Sequence, residues 1–140
     1  MNIPKVNHDL PPRIPDIKII DLDVSATKPS PLGENRRVFT FKLSARPPAM
    51  WPKFFEEARE KPRRGYWRPA EIKEVSIVTD CIPDEIADWH LDDLKNDVKT
   101  ANERYSAYCD AAERAARIKE EQKLSEKEKL EGLRSRLKFD

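Results

Sequence analysis

The sequence predicts an α+β protein with a small three-stranded sheet, antiparallel or mixed, in the order β-β-α-β-α. A long C-terminal helix and a short tail helix complete the predicted architecture. Two observations carry this prediction. Segments with apolar residues at every second position, typical of strands, all lie before residue 82. All twelve prolines lie at or before Pro83, and the 57 residues that follow contain a single glycine, which favours continuous helix.

Three segments are predicted as strands. Asp16–Val24 and Arg37–Ala45 alternate apolar with polar residues, and Ile72–Cys81 does so less regularly. Ser25–Asn35 contains two prolines and a glycine and is predicted as a loop. The first two strands are expected to pair antiparallel across it.

Helices are predicted after the second and third strands. Lys53–Lys61 follows Pro52, and proline suits the first turn of a helix. A longer helix should begin at Pro83, where acidic residues favour the positive end of the helix dipole, and run to about Gln122. The segment 125–128 (Ser-Glu-Lys-Glu) has the pattern of a capping box and predicts a last short helix.

The composition predicts one domain with appendages. Apolar and charged residues each make up 38% of the 140 residues, which indicates a modest core with a solvated extension. We predict a proline-rich extended arm at residues 1–15, an α+β region at residues 16–101, and a helical region with the tail helix at residues 102–140.

The charges are segregated along the chain although the net charge is only +1. Residues 34–73 carry eleven positive and five negative groups, whereas residues 74–110 carry three positive and ten negative groups. The near-neutral total gives no bias toward nucleic acid or membranes. Two cysteines, with no apolar leader or membrane-spanning run, favour a cytoplasmic protein.

The long helix has a heptad-like seam of small and apolar residues. Its members, spaced alternately four and three residues apart, are Ala87, Leu91, Leu94, Val98, Ala101, Tyr105, Tyr108, Ala112 and Ala115. The first half of the seam should pack on the sheet, whereas the second half overhangs it. That half is expected to meet either the tail helix folded back or another chain. The candidate partner-binding residues are Trp89, Tyr105, Tyr108, Ala112 and Ala115.

The loop at residues 59–68 interleaves basic with aromatic residues, a combination that suits phosphate contact and base stacking. Its candidate nucleic-acid contacts are Arg63, Arg64, Tyr66, Trp67 and Arg68. The structural alternative, which we favour, is a loop whose aromatic residues pack on the sheet edge and whose arginines are solvated or pair with the acidic start of the long helix.

No catalytic, cofactor-binding or metal-binding residue is predicted. Asp84, Asp88 and Asp92, with Asp93 and Asp97 nearby, lie near a helix start, where the dipole accounts for them. The histidines are His8 and His90, and neither has a cysteine or carboxylate at a recognised ligand spacing. Cys81 and Cys109 are expected to be buried thiols.

The expected function is therefore that of a non-enzymatic protein-interaction or accessory protein. Its coiled-coil-like helix would bind a protein partner or a second copy of the chain. The alternative is a nucleic-acid-binding module that uses the loop at residues 59–68. A third hypothesis is an enzyme subunit whose site is completed by partner chains.

Overall fold

The computed structural model describes residues 10–140, which divide into two compact units. We call Arg13–Ser106 the head and Ala107–Asp140 the extension; the described residues up to Pro12 group with the extension. The predicted proline-rich arm lies largely outside the described residues.

The head is built on an antiparallel sheet of five strands. In chain order these are β1 (Ile19–Leu22), β2 (Lys28–Ser30), β3 (Gly33–Leu43), β4 (Ala70–Lys73) and β5 (Ser76–Cys81). Across the sheet the order is β1-β3-β5-β4, and β2 also pairs with β3. The α+β class is confirmed, as is the pairing of the first two predicted strands, but the three-strand count and the β-β-α-β-α order are wrong.

Strand β2 forms inside the predicted loop Ser25–Asn35. Lys28 pairs with Val38, and Pro29 pairs with Arg37. Proline is tolerated there because β2 pairs with β3 alone, so the missing N–H interrupts no second ladder. Strand β3 has 11 residues. Its first part pairs with β2 and its last part pairs with β1.

Strands β4 and β5 form a hairpin where one strand, Ile72–Cys81, was predicted. Lys73 pairs with Ser76 across a turn at Glu74 and Val75. Glu74 has a φ of 53°, in the left-handed region that costs a non-glycine residue about 1–2 kcal/mol. The turn lacks the glycine or asparagine that marks such positions in a sequence.

The helices are α1 (Trp51–Ala58), α2 (Pro83–Glu85), a π-helical turn (Ile86–His90) and α3 (Leu91–Arg136). The prediction of a separate tail helix beginning at Ser125 is wrong, because α3 passes through this residue without a break. Lysine and glutamate on both sides of Ser125 are good helix formers, and one serine costs an intact helix only a few tenths of a kcal/mol.

One face of the sheet and the helices of the head enclose the hydrophobic core. Alternate residues of β3 and β5 point into it, so the predicted period-two pattern is confirmed for these two strands. It is wrong for the first strand, where Ile20 and Val24 are 60% and 76% exposed. Trp51 and Phe55 of α1 stack with their ring centroids 5.8 Å apart. The buried apolar residues of the head are Ile17, Phe39, Phe41, Leu43, Trp51, Phe55, Ile77, Cys81, Leu94, Val98, Ala101 and Tyr105.

Asn102 of α3 joins three parts of the head. Its Oδ1 accepts hydrogen bonds from the Ile17 backbone N–H at 3.1 Å and from Trp51 Nε1 at 2.9 Å. Its Nδ2 donates to the Ile17 carbonyl at 2.9 Å. One amide side chain therefore fixes α3, α1 and the segment before β1 relative to one another.

The extension contains the last thirty residues of α3 and is strongly exposed. Every residue from 117 to 140 is exposed to solvent. Among the described residues, no helix is long and apolar enough to cross a membrane.

Candidate functional site

The loop at residues 59–68 is tied to α3 by ion pairs through Asp97. Arg59 Nη1 lies 2.6 Å from Asp97 Oδ2, and Arg63 Nη2 contacts both carboxylate oxygens at 2.6 and 2.7 Å. The Asp97 side chain is completely buried, and that of Arg59 is 7% exposed. Arg59 also donates to the Arg68 carbonyl at 2.7 Å, so one buried arginine links α3 to both ends of the loop.

Two further arginines of the loop pair with acidic residues. Arg64 binds both oxygens of Asp93, at 2.6 and 3.0 Å. Arg68 binds both oxygens of Glu85, at 3.1 and 3.2 Å. The pairing of the loop arginines with the acidic start of the long helix is thus confirmed, whereas the expected packing of Tyr66 on the sheet edge is not, because this side chain is 64% exposed.

The aromatic residues of the loop have different environments. Trp67 has the guanidinium of Arg59 at 4.3 Å from its ring centroid and that of Arg63 at 4.7 Å. Its Nε1 donates to the Arg59 carbonyl at 3.2 Å. Tyr66 is 64% exposed, with Arg68 at 6.0 Å from its ring. The Trp67 ring is therefore engaged by cations of its own chain, whereas Tyr66 is available to solvent.

These contacts shift the ionisation of the carboxylates. The hydrogen bond from Arg64 holds the pKa of Asp93 below its ordinary value. Burial alone raises the pKa of Glu85, but hydrogen bonds from Arg68 and from the Ile82 N–H outweigh it and lower the pKa overall. Both carboxylates therefore stay ionised at neutral pH.

The acidic residues near the start of the long helix form two groups, which the sequence analysis did not separate. Asp84, Asp88 and Asp92 are exposed. Asp93 and Asp97 are buried and face the arginine loop. The exposed group behaves as expected for a helix start, whereas the buried group is structural.

A cluster of Cys81, Glu85 and His90 lies in the head, and the sequence analysis did not identify it. One donor atom from each residue lies within 4.8 Å of those of the other two. The residues are 0%, 7% and 3% exposed, respectively. Cys81 ends β5, Glu85 ends α2 and His90 ends the π-helical turn, so the fold places three types of metal ligand around one point.

The spacing Cys-x3-Glu-x4-His is the only sequence signal for this cluster, and it matches no common ligand motif. A π turn contains one residue more than an α-helical turn, so it changes the side of the helix on which the following residues lie. The sequence does not reveal the π turn, so it could not show which way His90 points.

Burial sets the protonation of this cluster. Burial, together with the nearby Glu85, raises the pKa of the Cys81 thiol to about 11. Burial lowers the pKa of His90, although Glu85 and Asp93 act in the opposite direction. At neutral pH the cluster thus holds a thiol, a neutral imidazole and a carboxylate.

The predicted partner-binding residues differ in accessibility. Tyr105 is 4% exposed and is a core residue of the head, so it cannot contribute to a free surface. Trp89 is partly buried. In the extension, Tyr108 is 37% exposed, Ala112 is partly buried and Ala115 is exposed.

The other cysteine, Cys109, is not part of the cluster. His8 lies outside the described residues. Cys109 is a buried free thiol 3.9 Å from the Pro12 carbonyl.

No protein-family model matches the sequence, and no curated protein or solved structure gives a significant match.

Proposed function

We propose that this protein is a non-enzymatic accessory protein that binds a helix of another chain through its extension. The observation that carries the proposal is the set of large apolar side chains that α3 holds in solvent. In order along the chain, these are Ile118 (54% exposed), Leu124 (52%), Leu130 (56%) and Leu133 (44%), and Leu137 (49%) directly follows the helix. A helix that stays in solvent can be polar on every side, so these exposed apolar side chains support packing against a partner.

Two of these residues, Leu130 and Leu133, lie on the side of the helix that carries the second half of the predicted seam. Tyr108, Ala112 and Ala115 follow the four-and-three spacing. Leu133 lies 18 residues, or about five turns, beyond Ala115 and therefore on the same side. Leu130 lies about one turn before Leu133. These five residues define what we call the apolar stripe.

The composition of the apolar stripe suits a helical partner. Alanine lets a second helix approach closely, leucine supplies apolar area, and tyrosine combines apolar area with a hydroxyl that tolerates water. Charged residues such as Lys119 and Lys123 interrupt the stripe. They weaken generic self-association and favour a partner, or a second copy, with complementary charges.

The two buried free thiols are in keeping with a reducing, cytosolic location.

The apolar stripe can be tested with Leu130→Glu combined with Leu133→Glu. We expect the wild-type chain to form a dimer by light scattering, or to co-purify with a helical partner, and the double variant to do neither. Two charges buried at such an interface would lower the affinity at least 100-fold, or roughly 3 kcal/mol. The thermal unfolding of the head should be unchanged because both leucines are exposed.

The matched control is Leu124→Glu combined with Ser135→Glu. It also adds two charges and removes an exposed leucine, but Leu124 is about one and two-thirds turns from Leu130 and faces another side. This control should associate like the wild type. A wild-type chain that stays monomeric and captures no partner contradicts the proposal, and so does equal loss of association in both variants.

The arginine loop lends less support to the nucleic-acid alternative than the extension lends to helix binding. Arg63, Arg64 and Arg68 each already pair with a carboxylate. A phosphate would have to compete with those carboxylates for each guanidinium. We therefore base the proposal on the extension.

A further inference from the structure

We propose that Cys81, Glu85 and His90 form a zinc-binding site in the head. This inference is independent of the proposed helix binding by the extension. It rests on the convergence of three ligand types, on an imidazole nitrogen with no hydrogen-bond partner, and on the chemistry of the donor set.

The three ligands lie where a strand ends and a helix begins, and the π turn sets the direction of the third. The ligands come from the end of a strand, a short α-helix and a π-helical turn. Zinc bonds to sulfur, nitrogen and oxygen are about 2.0–2.3 Å long, which places two ligands of one tetrahedral ion roughly 3–4 Å apart. The donor atoms already lie within 4.8 Å of one another, so changes of about 1 Å would complete the geometry.

His90 Nε2 points into the cluster without a hydrogen-bond partner. It is one of two buried side-chain atoms among residues 10–140 that lack one. The residue is 3% exposed, and Nε2 lies 3.5 Å from Glu85 Oε1, at the limit of hydrogen-bonding distance. A buried polar atom left unpaired destabilises a protein, and coordination of a metal ion would satisfy it.

Zinc suits this donor set better than magnesium or calcium, because those ions prefer oxygen ligands alone. Binding would break the S–H bond of Cys81 and release the proton to solvent, and the thiolate would form the Zn–S bond. The thiolate and the Glu85 carboxylate would together balance the two positive charges of zinc. A water molecule would supply the fourth ligand.

Arg68 would orient the carboxylate ligand. It binds both oxygens of Glu85, at 3.1 and 3.2 Å. Oε1 accepts from both Arg68 and the Ile82 N–H, whereas Oε2 accepts from Arg68 and keeps a second lone pair with which Glu85 can face a cation. Groups that hold a ligand in this way commonly raise metal affinity 10- to 100-fold.

The test is a titration of chelator-treated full-length protein with zinc chloride and, separately, with cobalt chloride. We expect one zinc ion per chain and an increase of the melting temperature by roughly 5–10 °C at saturation. Cobalt should give the near-ultraviolet absorption of a thiolate-to-metal charge transfer. Cys81→Ala and His90→Gln should lose these effects.

Two controls separate this site from other metal-binding groups. Cys109→Ala removes the other thiol, and His8→Gln removes the other histidine of the sequence. Both variants should bind zinc as the wild type does. Because the chain has two cysteines, a cobalt–thiolate band that survives Cys109→Ala must come from Cys81, even if Cys81→Ala does not fold.

Three results would overturn the proposal. The first is a wild-type chain that binds no zinc at equimolar concentration. The second is a cobalt spectrum without thiolate absorption, which would place the ion on carboxylates. The third is a thiolate band that disappears in Cys109→Ala.

Discussion

Helix α3 carries ion pairs in both the head and the extension, and they have opposite consequences. In the head, Asp97 is completely buried and meets Arg59, whose side chain is 7% exposed. In the extension, Arg134 and Glu131 pair at 3.0 Å with side chains 71% and 51% exposed. Both pairs join an arginine to a carboxylate of α3, but Asp97 reaches an arginine outside the helix and is buried, whereas Glu131 pairs within the helix and is exposed. Water screens the exposed pair, whereas each partner of the buried pair depends on the other to compensate its charge.

Asp97→Ala would break the head most severely. It leaves the buried Arg59 guanidinium without its carboxylate, which should lower the free energy of unfolding by about 3–5 kcal/mol. Arg63 loses its carboxylate partner as well. Urea denaturation followed by circular dichroism measures this loss.

Glu131→Ala is the matched control, because it removes one carboxylate from an exposed pair on the same helix. The expected change is below about 0.5 kcal/mol. If the two substitutions have equal effects, burial does not set the strength of these pairs.

Asn102→Ala should have the next largest effect. It leaves the Ile17 N–H, the Ile17 carbonyl and Trp51 Nε1 without their partner, which should cost about 2–3 kcal/mol of unfolding free energy. Asn102→Asp keeps the accepting oxygen but places a second oxygen against the Ile17 carbonyl, so it should not recover the stability. Asn96→Ala, at an exposed position of α3, should be nearly neutral. An Asn102→Ala protein as stable as the wild type would show that the amide is not the anchor.

A smaller effect is expected from Asp93 as the pH falls. Its pKa is lowered in the folded state by Arg64, so the pair stabilises the fold above the unfolded pKa of about 3.9. That stabilisation is lost as the pH falls through the folded pKa. The difference in melting temperature between the wild type and Asp93→Asn should be constant from about pH 7 to 5 and narrow below about pH 4. A constant difference throughout would mean that Arg64 does not hold the charge of Asp93.

The sequence predicted the strands whose alternation is strict and missed two short ones, β2 with three residues and β4 as a strand of its own with four. The alternation in β3 follows from burial of one face, and burial leaves a local signature. Strand β2 exists because β3 is long enough to accept it, and Pro29 by itself argues against a strand. The β4–β5 turn relies on Glu74 in a conformation that nothing in the local sequence indicates.

The candidate sites also divide into features that the sequence indicates and features that only the fold reveals. The four-and-three spacing is visible in the sequence up to Ala115, so the sequence indicates the first part of the apolar stripe. The sequence could not show that Tyr105 is buried while Tyr108 is exposed, because that depends on where the head ends along α3. Nor could it place Cys81 beside His90, since a strand end, a short helix and a π turn together determine that distance.

The sequence by itself determined the α+β class, the main strands, and a proline-free second half that forms a long helix. These properties follow from side-chain periodicity and backbone preference, which act over a few residues. The tertiary structure alone decided which charges are buried, how Asn102 joins three segments, and which titratable groups converge at Cys81, Glu85 and His90. The buried ion pairs and the Asn102 contacts depend on residues far apart in the chain, and the cluster depends on how a strand end, a short helix and a π turn follow one another in space. Only packing of the folded head sets these distances.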